Sequence, residues 1–348
     1  MTEQSAVAEP GHWLGIHIFY GANARPMVVD CIRPLVDELT TQGLLDSYFF
    51  MNYWMEGPHV RLRLKPRTLG DEPAVRAAAE AAIRRFLADR PALYEMDAGF
   101  RGELHERLFQ LEYPQGTPDG LTGPDGRATM QPNNSFSYRP YEPEYGKYGG
   151  ERGVALAEWH FRYSSDLVIA MVRTMNLHLR PVTLGIAAQL MLVMAGTFLP
   201  DRGDLVAFFD SYHQFWHRAF GGAGFVDNID YDRMYERMAG DLDRRFRPIL
   251  HALDHGERHR LPVFLRGWAE HAEELRARVS TLAETAALTF AYPEGAVPVT
   301  VTDAHEASAR LLSPYLHMTN NRLYITLRDE AYLAYLVARA LRETLAAR

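Results

Sequence analysis

The sequence predicts an α+β fold: a mixed or antiparallel sheet built from the N-terminal third and the C-terminal segment, with a large helical central portion. Three observations carry this. Runs near the N-terminus alternate apolar and polar residues with a period of two. From Glu151 to Leu288 the apolar positions recur at helical spacing instead, enough for roughly five helices. Near the C-terminus, short alternating runs return between helical ones. No internal repeat or clear linker interrupts the pattern, so a single domain over residues 12–345 is expected.

Trp13 to Tyr20 (WLGIHIFY) reads as a strand, and Met27 to Gly43 as a helix closed by glycine. Ser47 to Trp54 is aromatic-rich and extended. Glu56-Gly57-Pro58 turns the chain, and His59 to Leu64 (HVRLRL) alternates again, so the two runs form a hairpin. In its second strand Val60, Leu62 and Leu64 share one face, and Arg61 and Arg63 share the other. Asp71 to Asp89 is an alanine-rich helix. Glu112 to Ser135 carries four prolines and four glycines and is expected to be a loop or lid (residues 112–135). Ser137 to Tyr141 is a short strand running toward a turn at Tyr148-Gly149-Gly150. Beyond the helical centre, residues 296–302 read as a strand and Ala304 to Leu312 as a helix stopped by Pro314. Arg322 to Leu327 reads as a strand, and Asp329 to Ala346 as a closing helix.

Composition narrows the function. The chain has 348 residues with a net charge of −7, 47% hydrophobic and 23% charged residues. That is a soluble globular balance without the basic excess of a general nucleic-acid binder, so no nucleic-acid partner is expected. Cys31 is the sole cysteine, which excludes an internal disulfide framework and a cysteine-rich zinc site; a reducing, cytoplasmic setting is expected. The N-terminus shows no basic region followed by an apolar core, so no signal peptide is read. Thr183 to Leu199, the most apolar stretch, reads as a buried core helix rather than a membrane span.

Four stretches could carry chemistry, the fourth of them Ala157 to Asp166. Arg61 and Arg63 on one strand face make two guanidinium forks suited to a carboxylate or phosphate. In Tyr141 to Gly150 (YEPEYGKYGG), Glu144 and Lys147 could pair with each other or with a ligand, beside Tyr148 and a double glycine. In Ser313 to Arg322 (SPYLHMTNNR), His317 in a polar turn could act as a general acid or base, with asparagine and Arg322 orienting it or binding an oxyanion. A solvated strand face, an ordinary charged turn and a structural histidine remain open alternatives. Ala157 to Asp166 (AEWHFRYSSD) has the spacing of a packed helix. His213 and His217 are spaced as in a zinc peptidase, but Gln214 stands where the catalytic glutamate would be. His251, His255 and His259 recur at the same spacing, but Gly256 interrupts them, so no metal site is expected.

Taken together and in order, GPHVRLRL, YEPEYGKYGG, AEWHFRYSSDL and HMTNNRL resemble the lantibiotic dehydratase C-terminal domain family, whose stand-alone members serve thiopeptide and related pathways. The resemblance covers nearly the whole chain. It implies maturation of a ribosomally made precursor peptide, with no cofactor. The first implied reaction is β-elimination of glutamate from glutamylated serine or threonine, leaving dehydroalanine or dehydrobutyrine. Catalytic roles would then fall to His317, Glu144 and Arg61, and substrate binding to Arg63, Lys147, Arg322 and Tyr148. The family usually has arginine where this chain has Lys147, which keeps the charge and loses the fork. The alternative is a pyridine synthase that joins two dehydroalanines by a formal aza-[4+2] cycloaddition and releases the leader peptide. A further alternative, from a different class, is a non-catalytic partner that binds the leader for a separate glutamyl-transfer dehydratase subunit. The partners implied are the precursor peptide with its leader and that subunit, with no membrane; a homodimer is left open.

Overall fold

A computed structural model describes residues 9–93, 129–220, 230–293 and 295–346. They fall into two compact units. Residues 9–93, 129–142 and 161–175 make a sheet-bearing unit, and residues 143–160 and those from 176 onward make a helical one.

The sheet has four antiparallel strands in the order β2-β3-β1-β4, where β1 is Leu14–Phe19, β2 is Leu45–Tyr53, β3 is His59–Pro66 and β4 is Ser135–Tyr138. The hairpin β2-β3 is the one the alternation predicts. Its turn places Glu56 at φ 60° and Gly57 at φ 108°, a left-handed bend that glycine adopts without strain. The period of two puts Ile16, Ile18, Val60, Leu62, Leu64, Tyr48 and Phe50 on one face, all fully or almost fully buried. That face is covered by α1 (Arg33–Thr41), which continues the π-helical Val28–Ile32, and by α2 (Glu72–Asp89). Their Leu35, Val36, Leu39, Val75, Ala79 and Ile83 complete the core. Each large apolar side chain so buried contributes about 2 kcal/mol.

The outer edge of β2 is closed by the later part of α3 (Gly150–Thr174). The Phe50 N–H donates to Ser165 Oγ at 3.3 Å, and Arg162 donates to the Asp46 carbonyl at 2.7 Å. Asp166 accepts from the Tyr48 hydroxyl at 2.6 Å and from Arg33 at 2.9 Å. The expected loop at 112–135 lies outside the described residues, apart from 129–135 at its end.

The helical unit is built on α4 (Arg180–Phe198), with α5 (Arg202–Phe220), α6 (Tyr231–Asp254) and α7 (Val263–Glu284). Among the described residues α4 is the one helix long and apolar enough to cross a membrane, but 72% of its most apolar window is buried, as a core helix requires. The Trp268 indole N–H, fully buried, donates to the Leu190 carbonyl of α4 at 2.9 Å.

The C-terminal segment departs from the sequence expectation in two places. Ala304–Arg322 is a single helix, α8, that runs through Pro314. A mid-helix proline costs about 3 kcal/mol, and burial of Leu311, Leu312, Tyr315 and Leu316 around it exceeds that cost. His317 therefore stands on a helix and not in a polar turn. Arg322 to Leu327 is not a strand. Tyr324 takes φ 63°, and the Ile325 and Tyr324 amides return to the Asn320 and Asn321 carbonyls, which closes α8. Thr326 then caps the closing helix α9 (Leu327–Ala346): its N–H and hydroxyl donate to Asp329 Oδ2, and the Asp329 N–H returns to Thr326 Oγ1 at 3.2 Å. Among the described residues the C-terminal segment thus supplies no strand to the main sheet. Val299–Thr300 instead pairs with Thr289–Phe290 in a small ladder of its own.

Candidate functional site

The polar face of the main sheet collects cations and histidines. Register places His17 of β1 opposite Arg61, and Gly15 opposite Arg63. On the other flank β2 sets Met51 beside Arg61, Phe49 beside Arg63 and Tyr53 beside His59. The Arg61 guanidinium lies 3.3 Å from the centroid of the Tyr53 ring, and its Nε donates to His59 Nε2 at 3.3 Å. Arg63 is buried; its Nη2 donates to His17 Nε2 at 3.3 Å. Gly15 makes room for this arrangement, since a Cβ there would fall 2.3 Å from the Arg139 carbonyl oxygen and 2.8 Å from Arg63 Nη1.

An arginine can only donate, so each of these histidines accepts at Nε2 and is neutral with its proton on Nδ1. His59 gives that proton to the Gly57 carbonyl at 2.8 Å. Burial, and then the surrounding guanidinium charges, push His17 down to about 2 and His59 to about 3. Arg63 itself is lowered to about 10 by burial and then by Arg61. Among the described residues, buried donors on this face without an acceptor include His17 Nδ1, Arg63 Nε and Arg63 Nη1, with Ser137 Oγ and Arg139 Nε beside them. Buried donors without partners are costly, and a carboxylate or phosphate would satisfy them. At the His59 end of the strands a cleft of about 260 Å³ opens between Phe19, Gly57, Pro58 and residues 130–133.

The remaining predicted site residues lie in the helical unit, in two separate places. Glu144 and Lys147 pair at 3.1 Å at the four-residue helix Tyr145–Tyr148. Behind them the chain runs tight against the small ladder: a Cβ on Gly146 would fall 2.4 Å from the Ala291 carbonyl oxygen, and Gly149 takes φ 85°. Tyr148 is buried and stacks on Tyr315, ring centroids 6.1 Å apart. Arg322 is fully buried and donates to the Met318 carbonyl at 2.7 Å, with its charge near buried His160. His160 contacts His271 at 2.9 Å and is held well below its usual range by burial first and by the two neighbours next.

His317 is elsewhere on α8, with 27% of its side chain open to solvent. Its Nδ1 meets Oε1 of fully buried Glu330 at 2.8 Å, and the Trp216 ring lies 5.1 Å away. The other carboxylate oxygen of Glu330 accepts from the Tyr212 hydroxyl. Among the described residues no hydrogen bond or ion pair links Glu144 to His317. A histidine seated on a buried carboxylate, with Nε2 left over, can take and return a proton. Sequence reasoning missed His17, His59, Glu330 and Tyr212. His59 stands inside GPHVRLRL and His17 alternates with Ile16 and Ile18, so both were open to detection. Glu330 and Tyr212 belong to no motif, and only the fold brings them to His317. His213 and His217 lie 5.5 Å apart by ring centroid, with His213 Nδ1 on the Ala331 carbonyl; among the described residues no cluster suited to a metal ion is found.

The family described as lantibiotic biosynthesis dehydratase C-terminal matches residues 13–341. No curated protein matches the sequence. Among solved structures the chain is similar to the pyridine synthase TbtD from thiomuracin biosynthesis, at 20% identity and TM-score 0.72, covering 97% of this chain and 99% of that one. It is similar to TsrL at 19% identity and TM-score 0.68, covering 97% and 96% of the two chains. It is also similar to MibB, a tRNA-dependent lantibiotic dehydratase from Microbispora sp. 107891, at 17% identity and TM-score 0.54; all of this chain corresponds to 29% of that one. At these identities the likeness establishes the fold.

Proposed function

The chain belongs to the lantibiotic biosynthesis dehydratase C-terminal family, and we propose that it matures a ribosomally made precursor peptide by forming a pyridine from two dehydroalanines. The observation that carries this choice is closeness of fold. The fold matches the pyridine synthase TbtD at TM-score 0.72, against 0.54 for the lantibiotic dehydratase MibB.

The reaction is redox-neutral and consists of proton movements around two new bonds. The amide ahead of one dehydroalanine shifts its proton from nitrogen to oxygen, giving a 2-azadiene. Carbon–carbon and carbon–carbon bonds to the second dehydroalanine close the six-membered ring. Water then leaves with the former carbonyl oxygen, and the leader leaves as an amide, each needing a proton on the departing group. His317, with Glu330 behind it, is our candidate to move these protons, since a single imidazole can both take and give them. Arg61, Arg63 and the donors beside them would hold a carbonyl or carboxylate of the peptide. Glu144, Lys147, Tyr148 and Arg322 remain candidate substrate-binding or positioning residues. No cofactor enters this scheme.

One observation favours a second reading, β-elimination of glutamate. The unpartnered donors of Arg63 and His17 suit a glutamyl carboxylate as well as any other anion. Incubation with two precursor peptides, one carrying dehydroalanines and one glutamylated on serine, separates the readings by mass spectrometry. Loss of water and leader from the first peptide is expected. If only the second peptide reacts, losing glutamic acid, elimination is the function. If neither changes while the leader still binds, the chain is a non-catalytic partner.

A further inference from the structure

We propose that Glu330 and Tyr212 are positioning residues that set the tautomer of His317, holding its proton on Nδ1 so that Nε2 faces the substrate as a base. This rests on the reading of His317 as the proton-moving group.

Three helices meet at this point. Tyr212 and Trp216 lie one turn apart on α5, His317 is on α8, and Glu330 is in the first turn of α9. Glu330 has no solvent exposure. Among the described residues no arginine or lysine pairs with it; Arg180 pairs with the neighbouring Asp329 instead. Its two oxygens are divided between two donors, the Tyr212 hydroxyl on Oε2 and His317 Nδ1 on Oε1. A carboxylate only accepts, so the ring nitrogen facing it must carry the hydrogen. Nε2 is then the lone-pair nitrogen, with no partner among the described residues. Trp216 against the ring opposes the flip that would exchange the two nitrogens.

The proton count closes within this arrangement. Nε2 takes a proton from the substrate, and the imidazolium charge is met by the carboxylate through the Nδ1–H bond. Nε2–H later returns the proton to the departing group. Glu330 and Tyr212 keep their own protonation throughout and never touch substrate.

Tyr212 also gives the proposal a sharp test. In Glu330→Gln the side chain has one acceptor where the carboxylate had two. The buried Tyr212 hydroxyl claims the amide oxygen, and the amide NH₂ then faces His317 Nδ1, forcing the proton to Nε2. Removing the hydroxyl in the double variant Tyr212→Phe/Glu330→Gln frees the amide oxygen to turn back to His317.

The experiment is a long-range ¹H–¹⁵N spectrum of histidine-labelled protein in mildly alkaline buffer, with the His317 signals identified by their loss in His317→Gln. The wild type is expected as the Nδ1–H tautomer and Glu330→Gln as Nε2–H. Turnover of the dehydroalanine peptide should fall about 100-fold in the single variant at unchanged KM. The double variant should return to Nδ1–H and regain at least about tenfold of the lost rate. A wild-type His317 protonated on Nε2 overturns the proposal without recourse to any variant. A double variant no faster than Glu330→Gln overturns it too. Normal turnover by His317→Gln removes the catalytic reading of His317, while the wild-type tautomer still reports separately on the Glu330 contact.

Discussion

Glu330 Oε1 lies 2.8 Å from His317 Nδ1, and the carboxylate that makes this contact is wholly buried while the imidazole is partly open. A buried carboxylate is tolerated when its oxygens are satisfied. Tyr212 supplies half of that satisfaction, and its own hydroxyl is held far above its usual range by burial and then by Glu330. Tyr212→Phe is therefore expected to destabilise the protein by about 1–3 kcal/mol, the cost of leaving a buried acceptor unpaired. Urea unfolding at neutral pH measures this. A midpoint unchanged from wild type would mean that water reaches Glu330 and that the carboxylate does not depend on α5.

Arg63 presents the opposite case, a buried cation with donors to spare. It sits beside Arg61 and neutral His17, with no carboxylate on it among the described residues. Taking a charge out of water without a counter-charge costs several kcal/mol, so an apolar side chain of similar length at such a position raises stability. Arg63→Met is expected to do so and, in the same protein, to weaken binding of the precursor peptide. A variant that is less stable than wild type would place Arg63 among structural residues rather than ligand-binding ones.

The same desolvation makes the fold sensitive to acid. His17 is lowered to about 2 and His59 and His271 to about 3, each chiefly by burial. Unfolded histidine titrates near 6.5, so below that pH the unfolded chain takes up protons that the folded chain refuses. Stability is complete above about 6.5 and declines as pH falls toward the folded values, by up to about 1.4 kcal/mol per pH unit for each such histidine. Urea midpoints at pH 7 and pH 5 should differ in that direction, and His271→Gln, where the variant folds, should flatten the slope. A midpoint that rises on acidification contradicts the neutral, buried state of these rings.

Much of this was legible in the sequence. The hairpin announced itself because its turn needs left-handed residues at Glu56-Gly57 and its strands keep a period of two. The central helices followed from helical spacing, and the buried character of Thr183 to Leu199 from an apolar run too short for a membrane span. The C-terminal reading failed for two local reasons. Pro314 is a helix stop in isolation, but burial around Leu311 to Leu316 overrides it. The alternation in Arg322 to Leu327 imitates a strand, because a left-handed turn at Tyr324 followed by a cap leaves apolar residues at every second position. Arg61, Arg63 and His317 could be named from motifs, whereas Glu330 and Tyr212 carry no local signal; their role exists only once α5 and α9 pack together.

The capping of α9 offers a last prediction, because it ties helix stability to the candidate site. Thr326 and Asp329 satisfy each other's backbone amides, a reciprocal arrangement visible in sequence as Thr-x-x-Asp. Glu330 follows immediately, its own amide on the Thr326 carbonyl at 2.9 Å. Thr326→Ala removes the hydroxyl cap and should cost about 1 kcal/mol of stability. Fraying of this first turn also loosens the carboxylate that orients His317, so turnover should fall more steeply than stability. Thr326→Ser keeps the hydroxyl and should restore both. Stability and turnover measured across the three proteins decide the matter. Full turnover in Thr326→Ala, despite the lost stability, would show that packing of Tyr212 and Trp216 alone holds the pair together.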